Sequence, residues 1–277
     1  MCIDTKTKES SEPATTVEDE QEPHELCSGI PPWHSFAFIV GLSAVVVPLL
    51  PSLEEIDSMS GKEVWTTRKF PELVSLETLA FVRLGIAGIS IGLSAYLALI
   101  AKGWDVYANY KPRSKLRRVF VRLEGIGTLT PFTSWCWMVL GVGFLLRGII
   151  ALAGAKAVQA GGTVAQAAAT TTTTTTPEWA EFVLGNKYLL RATLVSWELT
   201  GPFAMLVSSA ITYSIWPQVK KGGKPHNLAG FRNQLQHNFN SFAALLEVTL
   251  LGGISVEFSH LSMAAAYGVV YVVFTWL

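Results

Sequence analysis

The side chains able to do chemistry are few, and most sit inside apolar stretches. The segment HNFNSFAALLE carries His237, Asn240, Ser241 and Glu247. Positions i, i+3 and i+4 share a helix face, so the imidazole, the amide and the hydroxyl line up. Glu247, seven residues beyond Asn240, extends that stripe, and in hydrocarbon such a stripe must face protein or a wet cavity. Upstream, TLTPFTSWCW supplies hydroxyls at Thr128, Thr130, Thr133 and Ser134. Thr133 and His237 are each expected within a turn of a helix start, at similar depth. A hydroxyl and an imidazole so matched pair a nucleophile with a general base.

The remaining ionisable groups inside apolar segments are Arg83, Arg147 and Glu198, with His260 at a segment end. The arginines are long enough to reach an interface by snorkelling, and that is the expectation for both. Glu247 lies about 15 Å into its helix, near a membrane midplane, where a carboxylate must be protonated or paired. Glu198 and Glu247 are therefore either interhelical hydrogen-bond groups or members of a ligand or catalytic site.

The elements that must position these groups are membrane spans. Half the residues are apolar and 15% are charged, against roughly 25% charged in soluble domains. The apolar residues come in blocks near bilayer length, which predicts an all-α polytopic bundle of six spans over residues 33–277. The spans are about 33–50, 74–101, 131–155, 188–216, 237–256 and 260–277. Pro48 ends or kinks the first, and Pro202 interrupts the fourth. Gly88-x-x-x-Gly92 offers a small-residue face on which another helix, in this chain or a second copy, can pack.

Residues 1–32 hold eight acidic residues and two lysines, and too little apolar surface to order a fold. They lack the basic start and apolar stretch of a signal peptide. Residues 159–177 contain seven consecutive threonines, a low-complexity insert in a surface loop. Basic residues concentrate after spans two and four: Lys102, Lys111, Arg113, Lys115, Arg117, Arg118 and Arg122, then Lys220, Lys221, Lys224 and Arg232. Six spans with both termini in the cytosol put both basic loops inside, as the positive-inside rule requires. The protein is thus expected in the plasma membrane or an endomembrane, with membrane lipids around it.

Net charge is zero, which points to no nucleic acid. Cys2, Cys27 and Cys136 make no disulfide framework or metal pattern,. No HExxH is present, and His237 and His260 fall at opposite membrane faces, so no metal is expected. Walker, GxGxxG and GxSxG motifs are missing as well, and no cofactor is expected.

At these residues the chain resembles the FAR-17a/androgen-induced-protein family of multi-pass membrane proteins and its rolling stone relatives. The resemblance rests on Phe132-Thr133 opening span three, the mid-helix Pro202 with Trp216-Pro217 closing span four, His237 ten residues before Glu247, and the final YGVVYVVFTW. It covers roughly residues 125–277. The androgen-induced members are similar to threonine hydrolases of fatty acid esters of hydroxy fatty acids. The resemblance implies Thr133 as their nucleophile and His237 as their base, with Asn240, Ser241, Glu247 and Glu198 in support. The rolling stone branch implies instead a non-enzymatic role in adhesion, fusion or scaffolding. A third expectation, a small transporter using Glu198 and Glu247, wants an internal repeat that the sequence does not display. Relatives continue through one more helix, so this chain is expected to be truncated at its C-terminus. Single cysteines introduced as Arg113→Cys and Lys224→Cys should be labelled by an impermeant thiol reagent from one and the same side of the membrane; labelling from opposite sides refutes the topology.

Overall fold

The structure, a computed structural model, describes residues 32–109, 118–161, 176–221, 231–252 and 257–274. The acidic tail, up to residue 31, and residues 162–175 of the threonine-rich insert lie outside the described residues. Helices make up nearly all of the rest. They are α1 (Pro32–Val46), α2 (Leu53–Met59), α3 (Lys62–Thr66), α4 (Leu76–Leu99), α5 (Phe132–Gln159), α6 (Glu178–Gly185), α7 (Lys187–Ser209), α8 (Trp216–Lys221), α9 (Phe231–Thr249) and α10 (Leu261–Phe274). Between α4 and α5 an antiparallel hairpin pairs β1 (Trp104–Asn109) with β2 (Arg118–Leu123). The sequence reading had this basic segment as a plain loop.

Local chemistry sets the helix starts. Ser52, Ser75 and Asn186 cap α2, α4 and α7, their side chains accepting from Glu55 N, Thr78 N, and both Tyr188 N and Leu189 N. Each cap satisfies amide donors that the first helical turn leaves open. Pro202 lies inside α7; its missing N–H leaves the Glu198 carbonyl without its helical donor. A π-helical stretch, Ala210–Ile215, then joins α7 to α8.

Among the described residues, three helices are long and apolar enough to cross a bilayer: 76–99, 132–159 and 187–215. A fourth crossing forms if 36–49 and 53–66, bent by 58° at their break, count as one span. The break falls where Pro48 was expected to end span one. The expected fifth span is not among these crossings: its residues fall in α9, which begins earlier, at Phe231, and is amphipathic. The expected sixth corresponds to α10, which is shorter, at 14 residues.

Contacts along the helices fix their directions. Trp137 Nε1 donates to Ser90 O at 2.7 Å, while a Cβ on Gly148 would meet Leu84 and one on Gly154 would meet Leu76. Helices α4 and α5 are therefore antiparallel. Phe132 packs on Phe203 and Arg147 on Trp197, so α5 and α7 are antiparallel too. Ser241 donates to Ala204 O at 2.8 Å, and α9 joins α7. Phe203 meets Tyr267, which sets α10 parallel to α7, and α1 packs against α10 at the bundle's edge. Helices α4, α7 and α10 thus run one way and α5 and α9 the other. The segments following α4 and α7 leave the bundle at the same end.

The distribution of polarity is inverted relative to a soluble domain. Phe36, Phe38, Phe81, Leu99, Leu206 and Phe242 are exposed, while Arg83, Arg147, Glu198, Asn240, Glu247 and His260 are almost wholly buried. An apolar exterior over a polar interior is the arrangement that lipid demands. The expected snorkelling of Arg83 and Arg147 is corrected by this result. Both are fully buried, Arg83 paired with Glu247 and Arg147 stacked against Phe144 and Trp197.

Close packing uses different glycines from those singled out in the sequence. A Cβ at Gly88 or Gly92 would meet nothing within 4 Å, so that face is open within this chain. At Gly148 a Cβ would lie 2.8 Å from Leu84 Cγ and 3.2 Å from the Leu84 backbone N. We expect Gly148→Val to destabilise the protein by about 1–3 kcal/mol through overpacking, and Gly88→Val to change stability by less than about 1 kcal/mol. Thermal unfolding in detergent checks this, and equal losses would contradict it.

Candidate functional site

Three buried polar groups occupy the bundle, and each draws residues from several helices. The first holds the charges. Arg83 on α4 donates Nε to Glu247 Oε2 at 3.1 Å, Nη2 to Glu247 Oε1, and Nη1 to the Trp65 carbonyl at 2.6 Å. This is a two-pronged guanidinium–carboxylate pair with both side chains inaccessible,. Arg147 on α5 stands close enough for its charge to interact with both. Its guanidinium lies 4.1 Å from the Phe144 ring centroid and 4.4 Å from that of Trp197. Nε donates to Gly143 O at 2.9 Å. Nη1 and Nη2 are buried and find no acceptor among the described residues.

The second group joins α7, α2 and the start of α10. His260 is buried, with Nδ1 3.4 Å from Glu198 Oε1 and Nε2 3.6 Å from Glu55 Oε1. Glu198 also accepts from the Glu257 amide at 3.3 Å. The arrangement is carboxylate–imidazole–carboxylate, leading from a buried acid to Glu55, whose side chain is 46% accessible. Beside it Asp57 pairs with Arg191 through two hydrogen bonds, fixing α2 against α7.

The third group is the start of α9. His237 and Ser241 lie toward α7. Ser208 Oγ lies 2.6 Å from both the His237 carbonyl oxygen and Ser241 Oγ, and with the Ser241 proton on Ala204 O the Ser208 proton serves one of the two. Asn240 is 1% exposed, and neither atom of its amide has a hydrogen-bond partner among the described residues. Below Ser241 an apolar cavity of about 240 Å³ opens between α7 and α9, lined by Trp197, Gly201, Pro202, Met205, Ala244, Leu245 and Val248.

Thr133 is half-buried in the first turn of α5. It shares a face with Trp137 and Phe144, which pack with Ala243 of α9,. Helices α5 and α9 are direct neighbours and run parallel, since Trp137 meets Phe239 and Arg147 approaches Glu247. That register sets His237 about 3–6 Å deeper along the axis than Thr133. The two do not share a side of α9, however. The α5-facing stripe of α9 carries Phe239 and Ala243, and His237 sits with Ser241 on the flank turned to α7.

No family model, curated protein or solved structure matches the chain. The site therefore stands on its own geometry. Of the residues expected from the sequence, the structure brings His237 and Ser241 together with Ser208, and sets Asn240 within a turn of both. It does not gather the two glutamates with them: Glu247 goes to Arg83, and Glu198 to His260. Sequence reasoning missed Ser208 and Glu55. Ser208 lies among the small residues of LVSSA, and Glu55 in the short acidic run of PSLEEID. The one available signal was that buried His260 and Glu198 each needed a partner.

Proposed function

We propose that this chain is an integral membrane protein of six spans with both termini in the cytosol, similar to the androgen-induced and rolling stone proteins, and that it hydrolyses lipid esters. The buried amide of Asn240, one turn from His237 and without a hydrogen-bond partner among the described residues, is the observation that carries this reading. A buried amide without partners costs about 1–3 kcal/mol unless a ligand meets it, and an ester carbonyl would accept from its NH2. His237 acts as general base and Thr133 as nucleophile. Asn240 donates to the oxygen that becomes negative as the tetrahedral intermediate forms. The apolar cavity directly below supports an acyl chain as the occupant,. Fatty acid esters of hydroxy fatty acids fit, since both halves of such a substrate are soluble in the membrane.

One observation favours a second reading, a non-enzymatic adhesion, fusion or scaffold protein of the rolling stone kind. Thr133 and His237 occupy different sides of the α5–α9 contact, and catalysis requires a helix rotation or a side-chain swing to join them. A fluorophosphonate probe on purified full-length protein separates the two readings. The hydrolase reading predicts covalent labelling that falls at least tenfold in Thr133→Ala and in His237→Ala. Undiminished labelling of Thr133→Ala, or none in wild type, transfers the assignment to the scaffold.

A further inference from the structure

The charged group on α4, α5 and α9 does not balance. Arg83 and Arg147 bring two cations, Glu247 one anion, and all three side chains are buried. Guanidinium does not deprotonate in proteins, so burial cannot neutralise it. Glu247 commits both oxygens to Arg83, while Nη1 and Nη2 of Arg147 find no acceptor among the described residues. Stacking on Phe144 and Trp197 compensates only in part,. An unpaired ion in low dielectric still costs several kcal/mol. A guanidinium with one prong satisfied and two open is the donor half of a two-pronged carboxylate contact.

The geometry points to Arg147 as the carboxylate anchor of a binding site for a free long-chain fatty acid. The Trp197 indole that stacks on Arg147 is also a wall of the apolar cavity between α7 and α9. A ligand with its carboxylate on Nη1 and Nη2 and its chain along Trp197, Gly201 and Val248 satisfies both. Depth argues against a phospholipid headgroup, because Arg147 lies about 22 Å from the start of α5 and is enclosed by protein,. This site does not depend on the hydrolase reading, although a lipid esterase would release such an acid beside it. Fluorophosphonate labelling does not report on it.

The test is quenching of tryptophan fluorescence by 9,10-dibromostearate in full-length protein held in nanodiscs. The acid should quench saturably, and its methyl ester, with the same chain and no charge, at least tenfold more weakly. Trp197→Phe should remove most of the saturable signal. Arg147→Gln should weaken acid binding at least tenfold while folding with an unchanged or higher melting temperature, because it removes an uncompensated buried cation. Equal quenching by acid and ester overturns the proposal, as does undiminished acid binding in Arg147→Gln. Displacement of the acid by equimolar chloride overturns the assignment to a fatty acid. Should Arg147→Gln fail to fold, the wild-type comparison of acid with ester decides alone.

Discussion

The pair between Arg83 and Glu247 is the constraint on which the rest of this structure depends. Two full charges, 164 residues apart in sequence and inaccessible in the fold, are satisfied only if α4 and α9 meet at one depth and in one rotation. A third helix is bound into the same arrangement, because Arg147 of α5 lies within reach of their field. Apolar packing between helices is permissive in lipid, since hydrocarbon tails solvate leucine as well as another helix does. A buried ion pair is not permissive. It fixes the α4–α5–α9 triplet, and with it the depth at which Trp137 meets Phe239 and His237 approaches the α7 flank.

The same logic orders the other polar groups by how completely they are satisfied. Glu198 and His260 face one another across α7 and the start of α10 at 3.4 Å, with Glu55 of α2 3.6 Å from the other ring nitrogen, distances of ion-pair contact rather than of completed hydrogen bonds. Ser208 and Ser241 close a hydroxyl contact between α7 and α9. Among the described residues, the Asn240 amide and the outer nitrogens of Arg147 stand buried without hydrogen-bond partners where α5, α7 and α9 meet. Complete groups hold helices together, whereas incomplete ones invite a ligand. The incomplete ones offer an amide donor and a guanidinium fork, and Trp197, which stacks on Arg147, is also a wall of the apolar cavity between α7 and α9.

Much of the bundle was legible in the sequence because bilayer-length apolar runs leave few alternatives. Spans two, three and four correspond to α4, α5 and α7, and the interior location of Glu247 and Asn240 follows from their position on α9. The arginines were misread. Snorkelling is the local solution for a long cation, and only the distant Glu247, Phe144 and Trp197 made burial the better one. Spacing identified Gly88 and Gly92, whose face stays open within this chain, while the close approach inside it falls elsewhere, where α4 presents its Leu84 side to Gly148. The break after Pro48 was visible, yet the return of 53–66 into the bundle rests on Trp65, Glu55 and Asp57 meeting partners more than a hundred residues away or, for Trp65, on α4. Pairings over such separations leave no local signal. The Thr133–His237 match in depth held to within about a turn, while the rotation of α9, set by Ser241 and Glu247 together, could not be read from spacing.

A double-mutant cycle on Arg83→Met and Glu247→Leu, read by thermal or denaturant unfolding of the full-length protein in mixed micelles, tests the central constraint most directly. Each single substitution strands a buried charge and should cost about 3–5 kcal/mol. The double variant removes both charges and should recover most of that loss, giving a coupling of more than about 2 kcal/mol. Additive losses in the double variant would contradict the account, because the two charges would then not be organising one another.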